Sequence, residues 1–155
     1  MKLVERIVHI DAEVGDVYAL LTDAEQFVRW MAPAAELDPV PGGIVRWTHA
    51  NGDVVSGEYV ELVPNRRIVF TFGWERADVE VPPGSTVVEV DLRPSNGGTK
   101  LRLVHRGLAG PMADAHGGGW TNYLGRLAAV AEGRDPGHDA LGADRVPTAR
   151  SLGIT

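Results

Sequence analysis

Cysteine is absent from the 155-residue chain, so disulfides, thiolate catalysis and cysteine-bound zinc are excluded. The five histidines show no metal-ligand spacing such as His-Glu-x-x-His, and we expect neither a metal nor a cofactor. The chain also lacks a phosphate loop, a Gly-x-Gly-x-x-Gly turn and a Gly-x-Ser-x-Gly nucleophile elbow. Whether the protein is an enzyme therefore cannot be read from a motif.

Positive charge is scarce as well. The formal net charge is −6, and no run of lysine and arginine offers a surface to nucleic acid or to an anionic membrane. No apolar run reaches the roughly 18 residues that a membrane-spanning helix needs. Glu5 and Arg6 lie where a signal peptide would need apolar residues. Together with the missing cysteine, these features are typical of a cytoplasmic protein.

Glycine and proline are, by contrast, abundant. The chain has 19 glycines and 10 prolines, nearly a fifth of its residues, where roughly 12% is usual. They cluster between short apolar stretches, which indicates many turns rather than a periodic fibre. A chain of this length predicts one domain with a real core.

Alternating and helical periodicities divide the chain into nine elements. A strand over residues 2–10 precedes two short helices. Asp11 is the predicted N-cap of the first helix. The Thr22-x-x-Glu25 pattern is the predicted capping box of the second. The next five elements are strands joined by hairpin signals such as Asn51-Gly52. We predict these strands at residues 44–50, 54–63, 68–74, 86–92 and 99–106, with a final helix at residues 120–132.

This order, β-α-α-β-β-β-β-β-α, predicts an α+β domain with a six-stranded antiparallel sheet over residues 1–133. The long C-terminal helix must cover the apolar face of the sheet, and a curved sheet around one helix leaves space for a cavity. Residues 107–119, rich in glycine, predict an irregular, mobile entrance to that cavity. Residues 134–155 predict an extended or disordered C-terminal tail.

Several landmarks in this order resemble the helix-grip fold of the START and birch-pollen-allergen superfamily, also called SRPBCC. They are Ile10-Asp11-Ala12, Val17-Tyr18-x-Leu20-Leu21-Thr22-Asp23, Trp30, Gly42-Gly43, Asn51-Gly52, Gly57, residues 62–70, Gly98-Thr99-x-Leu101-x-Leu103-x-His105, Gly119-Trp120, Leu124 and Leu127. The string is most similar to the branch named for an activator of a heat-shock chaperone's ATPase. The resemblance implies a curved sheet wrapped around the long helix, with the two short helices closing one end.

The resemblance also implies a cavity that binds an apolar or amphipathic small molecule, such as a lipid, a polyketide or an aromatic compound. Two alternatives stay open: a small enzyme of the cyclase, dehydratase or hydrolase kind, and a chaperone-associated interaction module. A chaperone partner is not expected, although that alternative stays open. A homodimer stays open because the edges of an open sheet need cover.

His105 is the candidate catalytic residue. It shares a strand face with Leu101 and Leu103, which should look towards the long helix, and a neutral imidazole there is a potential general base. The alternative is a core histidine satisfied by a neighbour. His116, in the glycine-rich run, is expected at the cavity mouth or in an exposed loop.

Aromatic side chains supply most of the other candidate ligand contacts, because indole and phenol rings combine a stacking face with one polar atom. The full set of predicted ligand-binding residues is Trp47, Tyr59, Phe72, Trp74, His105, His116, Trp120, Tyr123 and Leu124. The inward face of residues 54–63 is left open: one of Glu58 and Glu61 points inward, or each has a solvated surface role. Arg6 either clamps a ligand carboxylate or reaches water.

Overall fold

A computed structural model describes residues 2–142, 146–148 and 151–152. Its elements are β1 (Lys2–Ile10), α1 (Val14–Thr22), α2 (Ala24–Phe27), β2 (Ala34–Leu37), β3 (Ile44–Thr48), β4 (Val54–Val63), β5 (Arg67–Phe72), β6 (Thr86–Ser95), β7 (Gly98–Leu108) and α3 (Gly110–Ala131). The strands form one antiparallel sheet in the order β1-β7-β6-β5-β4-β3-β2. The predicted α+β helix-grip architecture is confirmed.

The sheet has seven strands rather than the six that we predicted. The additional strand, β2, is a four-residue edge strand that pairs with β3 through Ala34 and Thr48. It follows Pro33, and four residues are too few for an alternation of apolar and polar side chains to distinguish a strand from a loop. Its presence moves one edge of the sheet from β3 to β2.

Both predicted helix caps near the N-terminus are wrong by one or two residues. Glu13, not Asp11, occupies the N-cap of α1 and makes no side-chain cap bond. Asp23 caps α2 by accepting a hydrogen bond from the Glu25 amide at 3.0 Å. Thr22 instead donates to the Tyr18 carbonyl of the preceding helix, so its hydroxyl is already used.

The largest correction concerns the glycine-rich run. Residues 110–119 are not irregular but form the first half of α3, which spans 22 residues. Pro111 lies in the first turn, where its missing N–H has no intrahelical acceptor to lose. Gly117 allows a close approach, since a Cβ there would lie 2.6 Å from Arg6 Nη2. This half of α3 also packs into the core, where Met112 and Ala113 are buried.

Arg6 reaches across this contact to α3. Its Nε donates to Thr121 Oγ1 at 2.9 Å, and its Nη1 donates to the Glu5 carbonyl.

Glu58 and Glu61 are both exposed on β4, and Glu61 accepts a hydrogen bond from Arg67 on the outer face of the sheet. Of the alternatives left open for these carboxylates, the structure shows the surface role for both, because Val55 and Tyr59 fill inward positions of that strand.

The core lies between the concave face of the sheet and α3. Trp30 anchors the short helices by donating from Nε1 to the Leu20 carbonyl at 2.7 Å, and Arg126 of α3 donates to the Trp30 carbonyl. In the described residues no helix is long and apolar enough to cross a membrane.

The chain continues past α3 with several contacts to the domain. Residues 143–145, 149–150 and 153–155, part of the predicted C-terminal tail, lie outside the described residues.

Candidate functional site

A cavity of about 200 Å³ lies at the end of the sheet where the β3–β4 turn and the end of β5 face the first half of α3. Its lining residues come from α3, from the strands and turns opposite, and from the chain beyond α3: Met31, Trp47, His49, Asn51, Asp53, Val55, Phe72, Trp74, Ala115, His116, Gly119, Trp120, Tyr123, Leu141, Val146 and Pro147. A second, larger and more open depression of about 580 Å³ lies at the other end of β6, near the β6–β7 turn. Seven of the sixteen residues that line the first cavity have aromatic or imidazole rings, which makes it the candidate binding site.

Three tryptophans around this cavity each donate their indole N–H to a histidine ring nitrogen. Trp47 donates to His49 Nε2 at 3.1 Å and Trp74 donates to His116 Nε2 at 3.0 Å. Behind the wall, Trp120 donates to His105 Nδ1 at 3.0 Å. In each pair the accepting nitrogen must lack a proton, so all three histidines are neutral in this arrangement.

The second nitrogen of two of these rings is also engaged. His116 Nδ1 lies 2.7 Å from the Met112 carbonyl, which only accepts, so Nδ1 carries the proton. His105 Nε2 lies 2.8 Å from Thr86 Oγ1, whose own proton is donated to the Phe72 carbonyl. His105 Nε2 therefore donates to Thr86.

His49 connects the wall to the polar side of the cavity. Its Nδ1 lies 3.4 Å from the Tyr123 hydroxyl, which donates to Asp139 Oδ2 at 2.8 Å. Because the tyrosine proton goes to the carboxylate, the histidine Nδ1 is the donor towards the tyrosine oxygen. Burial raises the pKa of Tyr123, with a further increase from the adjacent Asp139.

Burial also disfavours the charged form of all three histidines. It lowers the pKa of His105, which is 0% exposed, to about 3, with a smaller contribution from neighbouring His116. The pKa of His116 and that of His49 are lowered for the same main reason. At neutral pH these side chains act as fixed hydrogen-bonding groups of the wall.

His105 was the candidate general base, and the structure gives it no free ring nitrogen. Trp120 and Thr86 occupy its two nitrogens, and Phe72 packs against the ring with 4.6 Å between centroids. The geometry is that of the satisfied core histidine considered as the alternative. His105 positions the Trp120 indole, whose ring lines the cavity.

Six of the nine predicted ligand-binding residues come together at the cavity: Trp47, Phe72, Trp74, His116, Trp120 and Tyr123. Tyr59, His105 and Leu124 are buried in the core and do not line it. His116 is placed on α3 and is 8% exposed, rather than in an exposed loop.

Sequence reasoning missed His49, Asp53 and Gly119 among the lining residues. His49 had a usable signal, because it lies two residues after Trp47 and alternate residues of a strand share a face. Asp53 is only 3% exposed and pairs with Arg76 at 3.3 Å, a contact across 23 residues that no local pattern indicates.

Among the residues that the structure describes, no three histidine, aspartate or glutamate side chains converge as a metal site.

The family model for activator of Hsp90 ATPase homolog 1-like proteins matches residues 11–132. The chain belongs to this family. It is a member of the SRPBCC superfamily, in agreement with the helix-grip architecture. No curated protein matches the chain.

Solved structures extend this comparison. A member of the family from Rhizobium etli is 42% identical, with 94% of this chain and 91% of that one covered and a TM-score of 0.69. The Aha1 dimer of Colwellia psychrerythraea is 17% identical, with 85% and 97% covered and a TM-score of 0.73. A protein of the dynemicin biosynthetic locus is 22% identical, with 90% and 51% covered and a TM-score of 0.75. The last two show a shared fold.

Proposed function

We propose that the protein binds a small, neutral aromatic molecule in the cavity between the sheet and α3. The observation that carries this proposal is a cavity of about 200 Å³ with indole, phenol and imidazole rings in its walls. A cavity of roughly 150 Å³ holds a benzene molecule, whereas drug-sized ligands occupy roughly 300–1,000 Å³. Of the ligand classes that the family resemblance implies, a small aromatic compound fits a cavity of this volume and a lipid does not.

The polarity of the wall supports a neutral ligand. The indole N–H groups of Trp47, Trp74 and Trp120 already have acceptors, so the rings offer apolar faces rather than free donors. Each of the three paired histidines is neutral and provides no cation for a ligand carboxylate. An aromatic ring can stack against these faces, and one hydroxyl can reach the polar side formed by Tyr123, His49 and Asp53.

Titration with p-cresol, a single ring with one hydroxyl, tests the proposal. We expect saturable binding by isothermal titration calorimetry, with a dissociation constant on the order of 0.1–1 mM, because a ligand of so few atoms has little surface to bury. Palmitate is the comparison ligand, since its chain is too long for the cavity. Tighter binding of palmitate than of p-cresol would contradict the assignment.

Neither alternative from the sequence has a specific observation in its favour. A general base at His105 needs a ring nitrogen that faces a substrate, and both nitrogens are engaged in the core. In the described residues, the large exposed hydrophobic side chains are distributed over β1, the loop before β3, β3, β4 and Leu152. Since β1 and β4 have three strands between them, the exposed side chains of β1 and those of β4 do not belong to one docking patch.

A further inference from the structure

The chain beyond α3 turns back over the mouth of the cavity. We refer to residues 136–142 and 146–148 as the C-terminal strap. The strap lies outside residues 11–132, to which the family model extends. Leu141, Val146 and Pro147 of the strap nevertheless line the cavity.

One end of the strap is attached to α3. Arg126 Nη1 donates to the Gly137 carbonyl at 2.9 Å and to the Pro136 carbonyl at 3.4 Å. Asp139 accepts from the Tyr123 hydroxyl at 2.8 Å and from Asn122 Nδ2 at 3.0 Å. These bonds join the strap to the helix face that forms the cavity wall.

The other end is attached to the turn between β3 and β4 and to the loop after β5. The Val146 amide donates to Asp53 Oδ2 at 3.1 Å, and Arg76 Nη1 donates to the Val146 carbonyl at 3.2 Å. Arg76 also pairs with Asp53 at 3.3 Å, so one ion pair holds both backbone groups of Val146. Of the two described parts of the strap, residues 136–142 are thus attached to α3 and residues 146–148 to the sheet side of the cavity.

We propose that the C-terminal strap determines the size of ligand that the cavity accepts. This inference rests on the proposed function. With the strap in place, Leu141, Val146 and Pro147 complete a wall and restrict the cavity to about 200 Å³. Without it, the site is a groove between α3 and the β3–β4 turn, open to larger ring systems. Release of the bonds at Asp139 or at Val146 then widens the mouth of the cavity.

Two aspartates, Asp135 immediately before the strap and Asp139 within it, provide a matched pair of variants. Asp135 accepts from the Gly137 amide at 2.7 Å, and Asp139 accepts from the Leu141 amide at 3.0 Å, so each carboxylate closes a local turn. Asp139 also accepts from Asn122 and Tyr123 of α3. Asp139→Ala therefore removes the local turn bond together with the attachment to α3, whereas Asp135→Ala removes a comparable local turn bond.

Ligand size gives the first measurement. We expect the wild-type protein and Asp135→Ala to bind p-cresol and to exclude pyrene, a four-ring hydrocarbon. Asp139→Ala should bind pyrene at least tenfold more tightly than Asp135→Ala does, since losing one hydrogen bond to a charged group shifts an equilibrium by roughly tenfold or more. Equal pyrene affinities in the two variants would overturn the proposal.

The access of a chemical reagent to the cavity wall gives a second measurement, which needs no ligand. Because the chain has no cysteine, Val55→Cys introduces a single buried thiol on the cavity wall. We expect a methanethiosulfonate reagent to label this thiol at least tenfold faster with Asp139→Ala than with Asp135→Ala. The rate of global unfolding is measured for each protein, and labelling through the mouth must exceed it.

The two measurements separate the proposals. If p-cresol does not bind but labelling depends on Asp139, the proposed function fails and the strap still closes the mouth. If p-cresol binds to all three proteins, while labelling and pyrene affinity are the same in both variants, the strap proposal fails and the proposed function stands.

Discussion

Replacing Gly119 by leucine should lower the affinity for p-cresol at least ~100-fold, by filling the space that the ligand needs. Gly119 lines the cavity, and a Cβ added there meets no atom within 4 Å. The leucine side chain can therefore enter the cavity without displacing the helix. A side chain of that size takes up much of a volume of about 200 Å³.

Gly118 offers the control for this experiment. It precedes Gly119 on the same helix, is exposed, and also has no atom within 4 Å of an added Cβ. Gly118→Leu should leave p-cresol binding within about twofold, because its side chain extends into solvent. Both variants should gain up to roughly 1 kcal/mol of stability from helix propensity. Full binding by folded Gly119→Leu would show that the ligand lies elsewhere.

Acid should destabilise the protein strongly through the three paired histidines. The unfolded chain binds protons at these histidines below about pH 6.5, the ordinary histidine pKa. In the folded protein burial lowers all three pKa values, and that of His105 falls to about 3. The unfolded state thus binds more protons in this window, so stability is full above about pH 6.5 and decreases towards pH 3. Each histidine that stays neutral contributes up to about 1.4 kcal/mol per pH unit.

Urea unfolding from about pH 7.5 to pH 4.5 measures this dependence. His105→Gln retains an acceptor for Trp120 and a donor for Thr86 but does not titrate, so its stability should decrease less steeply with acid than that of the wild-type protein. An unchanged slope in His105→Gln would contradict the neutral, buried pairing described above.

The strands and the long helix were predictable because their signals are local. Alternation over residues 54–63 gave the bounds of β4, and the apolar period after Trp120 gave the second half of α3. The first half of α3 was not predictable from propensity, because three consecutive glycines oppose a helix. Its helical conformation depends on tertiary packing, since Met112 and Ala113 of this half are buried in the core.

The aromatic residues of the site could be predicted from the sequence, but the hydrogen bonds that join them could not. The sequence indicates that Trp74 and His116 suit a cavity, yet their hydrogen bond joins positions 42 residues apart. Tyr123 and His49 are separated by 74 residues, and Val146 and Asp53 by 93. Such pairs depend on the order of strands in the sheet and on the return of the chain after α3, which periodicity does not encode.

Isotope-filtered NOE spectroscopy of labelled protein with unlabelled p-cresol tests the central claim most directly. We predict intermolecular NOEs from the cresol ring to Trp74, Gly119, Trp120 and Leu141, which line the cavity from the sheet, the helix and the strap. These NOEs should disappear in Gly119→Leu and persist in Gly118→Leu. NOEs confined to residues outside the cavity, or the same pattern in both variants, would contradict the account.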